Sequence, residues 1–371
     1  MTNSQTVDIA ALATASLHLI TDMQHDSGAY PASPTFSAYR GYSWFRDGAF
    51  IADAASSAGA SASAHAFFDW CARVVLANQD RILRIVEAEA NGAPLPDGEM
   101  LPTRFTLDGE PGADDWWDFQ LDGYGTWIWA LAAHETRVGG DGSAWSEAVA
   151  LCVDYLCATW SRPCFDWWEE HSEQQHISTW GCVAAGLKAA SGLASLDDDR
   201  RHLAASTARA IEARIRTHGV FEGRLVKWVG EQRVDASLAS LFGPIGLFSG
   251  DDALCQPTLR RIEEELTVNS GVHRFVGDRF YGGGRWPLLS CMLGLAWHAA
   301  GDDQRAAELL EWAASAVTQD GFLPEQVDGH LFHPDDRSEW LERWGTVATP
   351  LLWSHAMLVR LAVELGVEVA K

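Results

Sequence analysis

The chain has 371 residues, of which 47% are hydrophobic, enough to form the core of an enzyme-sized globular protein. Its 51 acidic and 27 basic side chains give a formal net charge of -24, which excludes nucleic acid and anionic membrane surfaces as expected partners. A small neutral or cationic partner is expected instead, and no feature of the sequence requires a protein partner.

The first residues of the chain carry no Lys or Arg ahead of their apolar stretch, and no run of about 18 apolar residues follows anywhere. The sequence therefore predicts neither export nor membrane insertion. Seven cysteines occur without a C-x-x-C pair, and most of them lie in apolar helical patterns. We expect free thiols and a cytoplasmic location.

Apolar residues at helical spacing predict about twelve helices and little strand structure. In chain order these helices cover residues 7–24, 46–60, 62–87, 120–137, 143–160, 176–193, 199–217, 235–242, 252–266, 286–300, 303–318 and 350–365. One strand-like stretch, 223–234, is expected to form a hairpin with Gly230 in its turn.

Twelve helices with short links on alternate sides favour an all-α (α/α)6 barrel, with six inner and six outer helices. An α-solenoid is the alternative, but the chain lacks the residue-level repeat typical of such arrays. No Pro- or Ser-rich linker divides the chain, so residues 1–371 are predicted to form one domain.

If successive helices alternate in direction, the loops before every second helix open at the same end of the barrel. Those loops hold the densest mixtures of aromatic, acidic and Arg residues, at 39–48, 114–125, 164–176, 272–286 and 321–336. The chain also has 18 tryptophans, whose flat faces suit sugar rings as well as core packing. Such loops converging on one rim are typical of a carbohydrate pocket.

Two of these loops offer carboxyl groups in unusual surroundings. In FDWWEEHSEQQH (165–176), the neighbouring acidic and indole side chains favour one glutamate that stays protonated near neutral pH. The alternative is that these acidic residues only complement the dipole of the following helix. Glu325 follows a turn fixed by Pro324, and a solvated surface charge is the alternative there. Hydrolysis of a glycosidic bond needs two carboxyls on opposite sides of the sugar, which these loops could supply.

The pair Arg46-Asp47 enters an apolar helix beside aromatic residues. It is either a structural ion pair or a clamp for neighbouring hydroxyls, and the shared rim favours the clamp. The three glycines 282–284 lack the Lys-Ser/Thr of a P-loop, so nucleotide binding is not expected. The histidines form no H-E-x-x-H motif, and no G-x-S-x-G occurs, so neither a metal, another cofactor nor a serine nucleophile is predicted.

Taken in order, the five stretches resemble glycoside hydrolase family 15, the glucoamylases, glucodextranases and related inverting exo-acting α-glucosidases. The likeness covers roughly residues 30–365. It implies that Glu169, in the family's W-E-E motif, is the general acid and that Glu325, in GFLPEQ, is the general base. It also implies that Tyr42, which opens the Y-x-W-x-R-D motif, holds the attacking water or the base.

The resemblance also implies the substrate contacts. Arg46 and Asp47 would grip the 4- and 6-hydroxyls of the terminal glucose, Glu170 would contact the leaving sugar, and Asp166 would tune or order the acid. The other implied contacts are Trp44, Trp116, Trp167, Trp168, Arg274, Phe280, Tyr281 and Trp286. Phe280 departs from the family, which usually has Tyr there, so one pocket hydrogen bond is expected to be missing.

By resemblance, the activity is hydrolysis of the non-reducing-end glucosyl unit with release of β-glucose. No separate carbohydrate-binding domain or N-terminal β-sandwich is expected in the chain, which favours isomaltose and short isomaltooligosaccharides. The alternatives are an α-1,4-acting glucoamylase on maltooligosaccharides and a trehalase of the same family. A disaccharide phosphorylase of another double-ring family and a non-enzymatic sugar-binding module are more distant alternatives.

Overall fold

The computed structural model describes residues 7–116 and 118–370. Residues 1–6, 117 and 371, which the single-domain prediction also covers, lie outside the described residues. The α-helices are α1 (Ile9–Asp22), α2 (Phe45–Ser57), α3 (Ser61–Ala77), α4 (Gln79–Ala90), α5 (Asp122–Val138), α6 (Ser146–Thr159), α7 (Ile177–Ser191), α8 (Asp198–His218), α9 (Cys255–Leu266), α10 (Pro287–Ala299), α11 (Asp303–Ser315), α12 (Arg337–Trp344) and α13 (Leu352–Glu364). The strands are β1 (Tyr42–Trp44), β2 (Arg104–Thr106), β3 (Val220–Phe221), β4 (Arg224–Leu225), β5 (Thr267–Val268), β6 (Gly271–His273) and β7 (Arg285–Trp286).

Six helical elements form an inner ring in which each packs against the next and the last returns to the first. They are α2, α5, α7, the 3-10 helix Ala236–Leu241, α10 and α13. These elements are apolar around most of their circumference: α10 reads PLLSCMLGLAWHA, and 11 of its 13 residues are buried. A helix with no polar face lies in the interior, as these do.

The outer ring consists of α1, α3, α6, α8, α9 and α11, each packed against inner helices through a single apolar face. In α8, for example, Ala204, Ala208, Ile211 and Ile215 are the buried residues, at the spacing of one helical stripe. The predicted (α/α)6 barrel of six inner and six outer helices is confirmed.

Several predicted elements differ in detail. The single helix expected at 62–87 is two helices, because Asn78 separates α3 from α4 and its side-chain amide donates to the Val74 carbonyl. The element at 235–242 is a 3-10 helix capped by Asp235, whose carboxylate accepts from the Ser237 amide. The predicted hairpin at 223–234 is wrong in its strand pairing, because β4 pairs back to β3. Gly230 does lie in a turn, which the hydrogen bond from the Lys227 amide to the Arg233 carbonyl closes.

The short strands fix the loops at one end of the barrel. β1 pairs with β2 in antiparallel register, with Tyr42 opposite Thr106, and β5, β6 and β7 form a three-stranded sheet. β1 runs directly into α2 and β7 directly into α10, so their side chains lie at the entrance of the inner ring. The expectation that these loops share one rim is confirmed, since residues before α2, α5, α7, α10 and α13 line one cavity.

Among the described residues, none of the helices is both long enough and apolar enough to cross a membrane. All seven cysteines are free thiols, and six of them are buried. The prediction of unpaired thiols is therefore confirmed.

Candidate active site

A cavity of about 340 Å³ opens at the end of the barrel where the inner helices begin. Its size lies within the range of roughly 300–1,000 Å³ that is typical of small-molecule sites. Twelve of the predicted site residues line it: Trp44, Arg46, Asp47, Trp116, Trp167, Trp168, Glu169, Glu170, Arg274, Phe280, Trp286 and Glu325. Indole faces alternating with charged groups match a pyranose ring, which has apolar faces and a rim of hydroxyls.

Glu169 lies in a tight turn before α7 with a left-handed backbone, at φ 63°. Its Oε1 accepts a hydrogen bond of 2.7 Å from the indole Nε1 of Trp44. Burial raises the pKa of Glu169, while Arg46 and the Trp44 hydrogen bond offset part of this rise. A carboxyl that holds its proton above the usual range suits a general acid.

Glu325 lies on the loop between α11 and α12 and is only 1% exposed. Its Oε1 accepts a hydrogen bond of 2.8 Å from the Tyr39 hydroxyl, and its Oε2 has no hydrogen-bond partner among the described residues. Burial raises the pKa of Glu325 to about 8, against the opposing effects of Tyr39 and Arg274. Tyr39 thus holds one oxygen of the carboxyl, while the other is buried and accepts no hydrogen bond within the described part of the chain.

The two carboxyls belong to a single site, because their hydrogen-bond donors pack together. The Tyr39 and Trp44 rings meet edge-on with centroids 5.4 Å apart. Burial raises the pKa of Tyr39 well above its ordinary value, and the charges of Glu325 and Glu169 raise it further. The carboxyls of Glu169 and Glu325, which come from distant loops, therefore both act on the Tyr39 side chain at one end of the barrel.

Arg46 and Asp47 occupy the first turn of α2. Arg46 Nη1 donates to Gln120 Oε1 at 2.7 Å and to Asp122 Oδ2 at 2.9 Å, and Arg46 Nε lies 3.4 Å from Asp47 Oδ2. Burial raises the pKa of Asp47 to about 7 although Arg46 opposes it. Arg46 is therefore ion-paired with both Asp122 and Asp47, although Asp47 Oδ2 accepts no hydrogen bond from the described residues. Both residues line the cavity, where the predicted clamp would lie.

Glu170 and Arg274 also line the cavity. Arg274 Nε donates to Asp278 Oδ2 at 2.8 Å, and its Nη2 lies 3.1 Å from Glu170 Oε1. Burial raises the pKa of Glu170, and Arg274 limits that rise. Phe280 and Trp286 flank the guanidinium, with their ring centroids 5.2 and 5.5 Å from Arg274 Cζ. Asp278, the buried anchor of this arginine, was not predicted.

Three predicted residues lie outside the cavity wall. The Tyr281 hydroxyl donates to the Gly345 carbonyl at 2.9 Å, and Asp166 lies behind the Glu169 turn with its carboxylate 3.1 Å from Lys227 Nζ. Tyr42 donates its hydroxyl to Asp114 Oδ1 at 2.6 Å.

The prediction that Tyr42 supports the base is wrong, because the hydroxyl beside Glu325 belongs to Tyr39. A turn returns Tyr39 over the cavity: its amide donates to the Phe36 carbonyl, and its own carbonyl accepts from the Tyr42 amide. Tyr42 lies in β1, where its ring covers the Arg104 guanidinium at 3.7 Å. The YRGY sequence offers two tyrosines, and only the turn geometry separates them.

Helix α12 was not predicted, yet its Trp340 and Trp344 line the cavity. Trp340 packs against Phe280 with centroids 5.0 Å apart, and Trp344 lies 6.1 Å from Phe36. Among the described residues, no cluster of three or more His, Cys, Asp or Glu side chains has an arrangement that could hold a metal ion.

The family model described as Glycosyl hydrolases family 15 matches residues 11–363. An isomaltose glucohydrolase from Kribbella flavida is 48% identical over 356 residues, covering 96% of this chain and 92% of that protein. A solved structure named Glycosidase Wild Type is 47% identical and superposes with a TM-score of 0.94 over 97% of each chain. A glucoamylase from Saccharomycopsis fibuligera shares the fold at 16% identity, with a TM-score of 0.75 over 99% of this chain and 98% of its own. The chain is therefore a member of glycoside hydrolase family 15, an enzyme that hydrolyses glycosidic bonds.

Proposed function

We propose that the enzyme is an exo-acting, inverting α-glucosidase that removes the non-reducing-end glucosyl unit of isomaltose and short isomaltooligosaccharides and releases β-glucose. The observation that carries this proposal is the pair of carboxyls, Glu169 and Glu325, held by adjoining aromatic donors in one cavity. The preference for α-1,6 linkages draws support from the Kribbella flavida relative, which is named an isomaltose glucohydrolase.

In the proposed reaction, Glu169 gives its proton to the glycosidic oxygen as the bond to the anomeric carbon breaks. A water molecule attacks that carbon from the opposite face, and Glu325 takes the proton that the water loses. The Trp44 indole stabilises the Glu169 carboxylate left after proton transfer, and the Tyr39 hydroxyl stabilises the Glu325 carboxylate needed before it. Each aromatic donor therefore favours the charged form of its glutamate.

The remaining side chains would bind the two sugars. Asp47 offers a buried carboxylate oxygen to the hydroxyls of the terminal glucose, while Arg46 is held in place by Gln120 and Asp122. Glu170, tied to Arg274, would meet the leaving sugar. Because Arg46 and Asp47 are both buried, a terminal glucose unit fits this contact better than a unit in the middle of a polysaccharide.

We further propose that the chain acts as one catalytic domain that needs neither a metal nor a protein partner. Six of the seven free thiols are buried in the core, which suits a reducing compartment such as the cytoplasm. The excess of acidic side chains supports a neutral oligosaccharide as partner.

Proton NMR of the purified enzyme mixed with isomaltose, maltose and trehalose in parallel tests the proposal. We expect isomaltose to be consumed fastest and the β-anomer of glucose to appear first. The leaving glucose keeps the anomeric form that it had in the substrate, so an initial excess of the α-anomer beyond that contribution would contradict inversion. Faster hydrolysis of maltose or trehalose would contradict the proposed preference for α-1,6 linkages. If all three substrates stay intact, the proposed activity is refuted.

We expect Tyr39→Phe to move the acidic limb of the kcat/KM profile upward by about one pH unit. The hydroxyl donates to the carboxylate of Glu325, so its loss favours the protonated, inactive form and raises the pKa of that residue. The measurement is kcat/KM for isomaltose across pH. Tyr42→Phe is the matched control, because its hydroxyl meets Asp114 instead. A shift in the control alone would return the role to Tyr42.

A further inference from the structure

The loop that leads into the 3-10 helix Ala236–Leu241 contributes nothing to the cavity wall, yet it buries a charged amine. Lys227 is 5% exposed, and its Nζ lies 2.8 Å from Asp235 Oδ2 and 3.1 Å from Asp166 Oδ2. The same nitrogen lies 3.4 Å from the centroid of the Phe275 ring. A buried ammonium between two carboxylates is charged, and the proposed reaction gives it no direct part.

One of its partners holds the turn that carries the acid. Asp166 Oδ1 accepts the backbone N–H groups of Trp168 and Glu170, each at 2.9 Å. Between these two amides lies Glu169 with its left-handed φ of 63°, a conformation that a non-glycine residue keeps only where its surroundings enforce it. The Asp166 carboxylate therefore determines where the Glu169 side chain starts.

The other partner holds the indole beside the acid. Asp235 Oδ2 accepts a hydrogen bond of 2.9 Å from Trp168 Nε1, and Asp235 Oδ1 accepts the Ser237 amide at 2.9 Å. Asp235 thus joins the Trp168 ring to the first turn of an inner-ring element. Lys227 therefore bridges Asp166, which holds the backbone of the turn, and Asp235, which holds the Trp168 side chain of the same turn.

We propose that Lys227 is a positioning residue of this active site, whose ammonium ties Asp166 to Asp235 and so keeps the Glu169 carboxyl aimed at the leaving oxygen. This role rests on the proposed function, because the aim of the Glu169 carboxyl matters only if Glu169 protonates a leaving sugar. Without the ammonium, two buried carboxylates would face each other. Their repulsion would favour opening of the turn or uptake of a proton by one of them.

The test compares Lys227→Met with wild type on two substrates, isomaltose and α-glucosyl fluoride. Isomaltose has a poor leaving group that needs the acid, whereas fluoride leaves with little help from a proton donor. We expect kcat for isomaltose to fall about 10- to 100-fold with KM nearly unchanged, as for a misplaced catalytic group. The loss of kcat on the fluoride should stay under about threefold.

Lys188→Met is the matched control, because Lys188 is exposed on α7, and it should leave both rates unchanged. If Lys227→Met does not fold, Asp235→Asn gives the same test, with an expected loss of about 3- to 10-fold confined to isomaltose. Equal losses on both substrates in a folded variant would overturn the positioning role. A wild-type enzyme inactive on both substrates would instead refute the proposed function.

Discussion

Glu169→Gln should lower kcat for isomaltose by about 10²- to 10⁴-fold, the usual contribution of a general acid. The glutamine amide has nearly the shape of the carboxyl and still offers an oxygen to the Trp44 indole, so the cavity should be preserved. It has no acidic proton for the leaving oxygen, so the loss should fall on kcat while KM changes little.

Glu170→Gln should behave differently, because Glu170 is an ion-pair partner of Arg274 on the wall where the leaving sugar would bind. We expect its main effect on KM, with a loss of kcat/KM of about tenfold. The measurement is kcat and KM of both variants on isomaltose and α-glucosyl fluoride, the latter nearly independent of the acid. An inactive Glu170→Gln beside an active Glu169→Gln would exchange the two roles.

The barrel and its rim could be predicted because they follow from hydrophobic periodicity alone. The segments predicted at 120–137 and 286–300 are α5 and α10, each within a few residues at both ends. Alternating helix direction then placed the polar loops at one end, and the cavity lies there. The hydrophobic pattern thus predicted which loops meet, because a helix that is buried on all sides can only belong to the inner ring.

The individual contacts within the rim could not be predicted in the same way. The choice between Tyr39 and Tyr42 depends on a turn at Phe36 and on the pairing of β1 with β2, which lies some sixty residues away in the chain. Neither feature leaves a periodic signal. Tyr39 and Tyr42 are only three positions apart, so the sequence pattern could not show which hydroxyl reaches Glu325.

Lys227 and α12 were missed for two different physical reasons. A lone lysine in a strand-like stretch is normally solvated, and this one is buried only because Asp166 and Asp235 reach it from separate loops. In α12, which has only eight residues, no residue is fully buried, and the half-buried Trp340, Leu341 and Trp344 span too short a stretch to give a clear helical period. Its Trp340 instead packs against Phe280 over the cavity, a surface that exists only after the barrel closes.

Glu325→Gln should lower kcat for isomaltose by about 10²- to 10⁴-fold and also stabilise the folded protein, more strongly at pH 8 than at pH 5. Burial raises the pKa of Glu325 from 4.5 to about 8. Between these values the folded protein keeps a proton that the unfolded chain has released, so its stability falls as pH rises. Glutamine does not titrate and avoids this loss.

The free energy of unfolding of Glu325→Gln, relative to wild type, should therefore increase by about 2–4 kcal/mol between pH 5 and pH 8. Thermal or denaturant unfolding at both pH values measures it, with Glu311→Gln on the exposed face of α11 as the control that should show no such change. The loss of kcat and the gain in stability have one cause, because the burial that destabilises the Glu325 carboxylate also makes it a strong base toward water. A variant that loses activity without gaining stability at pH 8 would mean that the folded protein already solvates this carboxylate.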